Sequence, residues 1–285
     1  MSGPDGPPRI AVIVPCFNDG PIAHQAVSSL AAQEPTELVV VDDASTDPAT
    51  AEALEDLRRR GTAVIRHEVN QGLSATRMTG LKATVARFVF PLDSDDLVAP
   101  GALTALADLL ERRPEVAVAF ADYEEFGTRR RIVTVPPRLD PFRILYRNEY
   151  PVSSMFRRTA LERVGGWRDV AGLVGYEDWN LWMSLAEQGE TGLHVGAGSV
   201  ALRRRMHGTR MLGDAGQRHR ELYGHLRRLH PALFAAARAN RRTSDLSPLK
   251  RALYPVVYGA RPPLGMWSRV LALAGRAGHG RQLDS

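Results

Sequence analysis

Three of the tight carboxylate groups along the chain fall at the ends of expected elements: Asp42-Asp43, Asp93-Ser94-Asp95-Asp96 and Glu177-Asp178. Like charges this close repel, so a cation or hydrogen-bond donors must offset them. An isolated Asp-x-Asp is more often a turn or a helix cap, because Asp and Ser favour both. Here Asp93-Ser94-Asp95 follows an apolar strand, and a second Asp pair closes another strand. That pattern points to a hard divalent cation, Mg²⁺ or Mn²⁺, which typically takes one or two carboxylates plus substrate phosphates. Zinc is disfavoured, since Cys16 is the sole cysteine, no HExxH occurs and the histidines are scattered. A Walker loop, a complete GxGxxG and a GxSxG hydrolase elbow are all absent. Glu177 and Asp178 open a helix-length segment, where an acidic pair also suits the positive end of the helix dipole.

The elements that must position these groups read as an α/β sheet. Ile10–Val14, Leu38–Val41, Ala63–Ile65 and Arg87–Phe90 are short apolar runs of the kind that form buried parallel strands. Helix-length segments lie between them, at Pro21–Gln33, Pro48–Arg60 and Leu73–Thr84, and Asp47-Pro48 is a helix-start signal. Gly101–Glu111 adds a helix and Val116–Phe120 a strand. In open α/β sheets ligands bind beyond the carboxyl ends of the strands. The first strand runs there into Pro15-Cys16-Phe17-Asn18-Asp19, the second into Asp42-Asp43, and the fourth into Asp93-Ser94-Asp95-Asp96.

Beyond residue 120 the pattern changes. Phe126–Val135 reads as a hairpin, Val152–Phe156 as a strand, Thr159–Val164 as a short helix, and Tyr176–Gln188 as a helix with Trp179 and Trp182 on its core face. Leu193–Val195 can rejoin the sheet, and helices are expected at Gln217–Leu229, Pro231–Asn240 and Pro248–Tyr258. Hydrophobic residues make up 44% of the 285 residues and charged residues 24%, enough to bury a core without disulfides. No apolar run spans a bilayer, and the first ten residues lack a signal-peptide pattern, so a cytoplasmic location is expected. The net charge of +5 is uneven: residues 200–285 carry 17 Lys/Arg against 4 Asp/Glu. Zinc-finger spacing and basic heptads are missing there, which argues against nucleic acid. Phe234, Leu246, Leu253, Tyr254, Val257, Tyr258, Trp267 and Leu271 lie among these basic residues. They are expected either to pack on the preceding domain or to contact an anionic membrane.

Together, VIVPCFN (12–18), VVVDDASTD (39–47), NQGLSATRMTG (70–80), FPLDSDD (90–96), GGW (165–167) and YEDWNLW (176–182) resemble the inverting glycosyltransferases of family two, with the GT-A fold. The resemblance runs from about residue 9 to about residue 211. It implies an α/β, Rossmann-like, mostly parallel mixed sheet followed by a helical C-terminal extension. It divides the chain into a nucleotide-sugar-binding half (1–122), an acceptor-binding and catalytic half of the same domain (123–211), and a basic extension (212–285). The nucleotide-sugar would be held by Pro15, Phe17, Asn18, Asp42, Asp43, Asn70, Gly72, Arg77, Asp93 and Ser94. Asp95 would be the direct ligand of Mn²⁺ or Mg²⁺, with Asp93 nearer the ribose and His207 approaching the metal or diphosphate. Asp178 would be the catalytic base, with Glu177, Trp167 and Arg205 on the acceptor side. Where the family usually has Asn after the motif arginine, this chain has Met78.

The activity so implied is metal-dependent, inverting transfer from a UDP- or dTDP-sugar, less readily a GDP-sugar, to an acceptor hydroxyl. The setting would be surface-polysaccharide or natural-product synthesis. Two other readings fit an acidic α/β nucleotide domain: a sugar-phosphate nucleotidyltransferase, and a nucleotide-sugar-binding protein that has lost catalysis. The first normally carries a glycine-rich GxGxR-type loop, and PCFNDG is not one.

Overall fold

The computed structural model describes residues 7–170, 173–206 and 218–258. Eleven strands are described: β1 (Ile10–Cys16), β2 (Glu37–Asp42), β3 (Ala63–Arg66), β4 (Phe88–Pro91), β5 (Leu97–Val98), β6 (Val118–Phe120), β7 (Asp122–Gly127), β8 (Arg131–Val133), β9 (Met155–Arg157), β10 (Gly192–His194) and β11 (Val200–Met206). The first six helices are α1 (Gly20–Ser28), α2 (Pro48–Arg59), α3 (Leu73–Ala83), α4 (Ala102–Arg112), α5 (Arg158–Arg163) and α6 (Glu177–Glu187). Four more close the described chain, at His219–Leu229, Pro231–Ala235, Ala237–Thr243 and Pro248–Tyr258.

Seven strands form the main sheet in the order β10-β6-β9-β4-β1-β2-β3, with β9 antiparallel to both neighbours and every other pairing parallel. Successive side chains of a strand point to opposite faces, so β1 feeds two cores. Ile13 joins Val39, Val41, Val89, Phe120 and Trp182 on one face. Val12 and Val14 join Val40, Phe90, Leu54 and Leu106 on the other. All seven residues of β1 are buried, as a central strand covered by helices on both sides requires. The Asp47 carboxylate caps α2 by accepting from the Ala49 and Thr50 amides, in agreement with the helix-start signal.

A second, four-stranded sheet runs β5-β11-β7-β8. The hairpin expected at 126–135 starts earlier, at Asp122. The strand expected at 152–156 is confined to Met155–Arg157. Strand β11 has no counterpart in the sequence reading, because VALRRRM carries three arginines where a half-buried strand usually carries apolar residues. The reason is cation–π packing: Arg203 and Arg205 lie over Phe126 at 4.8 and 4.7 Å, and Arg204 over Tyr123 at 4.7 Å.

The C-terminal helices pack on the face that carries α6. Tyr223, Leu226, Leu233, Leu246 and Tyr254 join the first core, and His219 stacks on Trp179. His230 links Asn180 and Glu187, and Ser244 donates to Asp140. Ala236 divides the single helix expected over 231–240 into two. Of the apolar tail residues, Leu246, Tyr254 and Val257 are buried, whereas Leu253 is exposed. Trp267, Leu271 and His207 lie outside the described residues. No helix among the described residues is long and apolar enough to cross a membrane.

Candidate active site

The register of the main sheet brings the carboxyl ends of β1, β2 and β4 together, with Cys16 opposite Asp42 and Ile13 opposite Pro91. A cavity of about 580 Å³ opens there. Pro15, Phe17 and Asp43 line one part of it; Asn70, Gly72 and Arg77 line a second. Asp93, Ser94, Asp95, Glu177 and Asp178 complete the set of expected residues that face it.

The loops are held by local bonds that account for several of the residues between the motifs. The Asp43 carboxylate accepts from the Gln71 and Gly72 amides, both at 2.8 Å, and shares a hydrogen bond with His67 Nδ1 at 2.8 Å. Its place at the cavity edge is thereby fixed by backbone. Asp42 is fully buried and not part of the lining; its oxygens accept from the Ser45 amide and from Arg66. Asn18 adopts φ +59° and its Oδ1 accepts from the Thr46 and Asp47 amides at 2.8 and 3.0 Å. Asn18 therefore stitches the loop after β1 to the loop after β2 and is also not part of the lining. Cys16 faces the cavity, but burial pushes its thiol up to about 11, so it remains a small protonated filler.

Arg77 is the electrostatic centre of the site. It is fully buried, and its guanidinium donates to Asp93 at 2.7 Å and to Asp178 at 2.8 Å. One cation thus ties the acidic loop after β4 to the first turn of α6, 85 positions further along. Trp167 is buried with its ring centroid 5.9 Å from the Arg77 guanidinium. It backs the arginine and lies outside the cavity lining, not on an acceptor surface. The Gly165-Gly166-Trp167 turn makes this possible. Gly166 has φ +65°, and a Cβ there would come within 2.4 Å of Met78 Sδ. Met78, at the position where the resemblance implied Asn, packs against that turn, and Arg77 lines the cavity.

Asp93, Asp95 and Asp96 each present a carboxylate oxygen within 4.8 Å of the others. Asp96 is buried and pushed up to about 8, chiefly by loss of solvent and then by the charges of Asp93 and Asp95. A hard oxygen cluster with more negative charge than its surroundings balance is suited to a divalent cation, so the residues fit Mg²⁺ or Mn²⁺. Asp178 is also raised above its ordinary value by burial, while Arg77 pulls it back down. Glu177 is raised by burial as well and accepts from the Gly175 amide, an arrangement that orders the loop before α6.

Arg205 does not line the cavity. It holds the acidic loop from behind, its amide donating to Asp96 at 2.8 Å and its Nε to the Asp95 carbonyl at 3.1 Å. The neighbouring Arg204 faces the cavity instead, 3.9 Å from Asp96. Arg204, Asp96 and Asp19 are the charged lining residues to which no individual role was assigned from sequence. Alternation along β11 was the one signal that could have separated Arg204 from Arg205.

The sequence matches the profile of Glycosyl transferase family 2 over residues 11–165. Among curated relatives, the succinoglycan biosynthesis protein ExoO of Rhizobium meliloti is 29% identical over 215 residues, covering 69% of this chain and 61% of that one. The chain spans between 20% and 61% of the length of the first relatives it matches. Among solved structures, S. aureus TarS 1-349 in complex with UDP-GlcNAc superposes with a TM-score of 0.62 at 21% identity, over 85% of this chain and 69% of that one. The mannosyltransferase PcManGT of Pyrobaculum calidifontis, in complex with GDP-Man and Mn²⁺, gives 0.58 at 21% identity over 97% and 82%. These two likenesses establish the fold, a mostly parallel α/β sheet flanked by helices, as expected for GT-A proteins. With more than half of its length inside the family profile, and with the ordered motifs converging on one cavity, the chain belongs to glycosyl transferase family 2.

Proposed function

We propose that the protein is a metal-dependent, inverting glycosyltransferase. It moves a sugar from a UDP- or dTDP-sugar, less readily a GDP-sugar, to a hydroxyl of a growing surface polysaccharide or natural product. The observation that carries this is the Arg77 bridge, because it holds Asp93 and Asp178 at opposite ends of one guanidinium on one cavity wall. A donor held at the acidic loop and an acceptor poised over Asp178 then share that cavity. The UDP-GlcNAc bound by TarS and the GDP-Man and Mn²⁺ bound by PcManGT support the donor class and the cation. The name of ExoO supports the polysaccharide setting. A cytoplasmic location is part of the proposal.

The base and ribose lie against Pro15, Phe17 and Asp43, with Asp93 and Ser94 towards the ribose. Asp95 and Asp96 would hold the cation, with Asp93 beside them and His207 as a further candidate ligand. Bound there, a divalent cation would supply positive charge to offset what develops on the departing diphosphate. Asp178 accepts the proton of the acceptor hydroxyl as that oxygen bonds to the anomeric carbon. The bond from that carbon to the diphosphate oxygen breaks on the opposite face, which inverts the configuration. Arg77 orients the Asp178 carboxylate and favours its ionised form.

The test is incubation with UDP-, dTDP- and GDP-sugars, with and without Mn²⁺, while nucleoside diphosphate release is followed. Mn²⁺-dependent release supports the proposal. A nucleotidyltransferase would instead release pyrophosphate from a nucleoside triphosphate, and a silent binding protein would bind the donor and release nothing.

A further inference from the structure

The described residues expose seven large hydrophobic side chains, and three of them sit on the Pro248–Tyr258 helix. Leu249, Leu253 and Val256 are 69%, 40% and 73% exposed. Their spacing of four and three residues places them in one stripe along the helix. The opposite face is firmly seated: Tyr254 and Val257 are buried, Tyr254 donates to Glu149, and Arg147 donates to the Tyr258 hydroxyl at 3.1 Å. The stripe is thus the outer side of a docked helix, not a frayed end. Single exposed apolar residues need no explanation, but three aligned ones on a helix seated by its other side mark a contact surface.

The charge around the stripe identifies the contact. Lys250 is exposed on the same helix, and the Ala237–Thr243 helix just before it buries none of its residues and carries Arg238, Arg241 and Arg242. The two helices are joined where Arg251 donates to the Arg242 carbonyl at 3.3 Å. From residue 237 to residue 258 the chain has five basic residues against one acidic residue, Asp245, and Asp245 is paired with Arg143. An apolar stripe flanked by exposed arginine and lysine is complementary to an anionic bilayer, where apolar insertion and charge attraction add. A protein partner would need a shaped acidic surface around an apolar ridge; a bilayer of anionic phospholipid supplies both terms without shape.

We infer that the outer face of the Pro248–Tyr258 helix, with the basic helix before it, docks the protein on an anionic phospholipid membrane. The contact is peripheral, since no helix among the described residues can span a bilayer. The inference is independent of the donor and mechanism proposed above. Through Tyr254 and Tyr223, the docked helices pack on Phe142, the Leu145 carbonyl and Trp179, the residue after Asp178. Docking therefore sets the orientation of the catalytic cavity relative to the membrane.

The experiment is flotation of the full chain with vesicles of phosphatidylglycerol and phosphatidylcholine, compared with vesicles of phosphatidylcholine alone. At low salt the protein should float with the anionic vesicles, stay behind with the neutral ones, and be released by about 0.5 M NaCl, where screening is nearly complete. The triple variant Leu249→Ser, Leu253→Ser, Val256→Ser should lose at least about tenfold in bound fraction with a melting temperature within about two degrees of wild type, since Leu249 and Val256 are mostly exposed and only Leu253 is partly covered. Failure of the wild type to float on anionic vesicles overturns the inference. So does equal flotation of the triple variant, which would move the contact elsewhere in the chain. A dimer in light scattering that the triple variant converts to monomer assigns the stripe to a second copy, and a fall of several degrees in melting temperature assigns it to a segment of the same chain. Both also overturn the membrane assignment.

Discussion

Replacing Asp178 by Asn separates proton transfer from every other role the side chain has. Asp178 Oδ1 accepts from Arg77 at 2.8 Å, and an amide oxygen can accept the same bond, so the bridge to Asp93 and the first turn of α6 should survive. What is lost is basicity. General-base catalysis contributes roughly 10²–10⁴ in rate, which at 1.36 kcal/mol per decade is about 2.7–5.4 kcal/mol of transition-state free energy. The turnover number should fall by that factor in a donor-hydrolysis or transfer assay at saturating Mn²⁺. Calorimetric affinity for nucleoside diphosphate with Mn²⁺ should move by less than about tenfold, because the pocket for the base and the acidic loop are untouched. The pH profile gives a second reading. Burial raises Asp178 above the usual carboxylate range, and only its ionised form takes a proton. The wild-type rate should therefore drop as pH falls through that raised value, and the Asn variant should lack this acid limb. Turnover within about threefold of wild type, with the acid limb intact, would refute Asp178 as the base and turn attention to Glu177.

Arg77→Met should cost about 1–3 kcal/mol in chemical denaturation, less than loss of a fully enclosed ion pair, since Asp93 and Asp178 keep contact with the cavity; unchanged stability and turnover would remove the bridge from the mechanism. Gly166→Ala should lower the denaturation midpoint by about 1–3 kcal/mol equivalents, because φ +65° is strained for alanine and its Cβ meets Met78. Asp96 holds its proton more tightly when folded, so deprotonation opposes folding; stability should decline as pH rises from about 4 towards about 8, and Mn²⁺ should restore it at the upper end. A flat melting temperature over that range, with no response to Mn²⁺, would contradict this. Asp95→Ala should abolish Mn²⁺-dependent nucleotide affinity in calorimetry while leaving the melting temperature near that of wild type, since an acidic loop side chain adds little to the core.

The main sheet was legible because its strands are buried on both faces and read as continuous apolar runs: Ile10–Cys16 and Phe88–Pro91 appear within one or two residues of expectation. The second sheet was legible only in its β7–β8 hairpin, and that with a shifted start, for a physical reason. Its strands β7 and β11 pair Tyr123 and Phe126 with Arg203, Arg204 and Arg205, so aromatic–arginine stacking replaces the apolar alternation that marks a strand. A search for hydrophobic period alone passes over such a strand. The two-residue β5, Leu97–Val98, is too short to show any period.

The site shows the same division between what type and order encode and what only packing decides. Asp43, Asp93, Asp95 and Asp178 were found from residue type at strand and helix ends, because topology sends those ends to one edge. Asp42 and Asp43 are adjacent and chemically identical, yet one faces the cavity and the other is closed off by Arg66 and Ser45. Asp42 is the last residue of β2 and Asp43 the first of the loop, held by the Gln71 and Gly72 amides, and residue type alone does not mark that boundary. Arg204 and Arg205 repeat the case, one facing the cavity and the other bracing the loop behind Asp95 and Asp96. Arg77 was expected near the nucleotide, but its two partners lie 16 and 101 positions away. The guanidinium that joins Asp93 to Asp178 projects from α3, whose Met78 packs against the Gly166 turn. Met78, the residue that departs from what the resemblance implied, packs against that turn while the Arg77 guanidinium keeps both of its carboxylate partners.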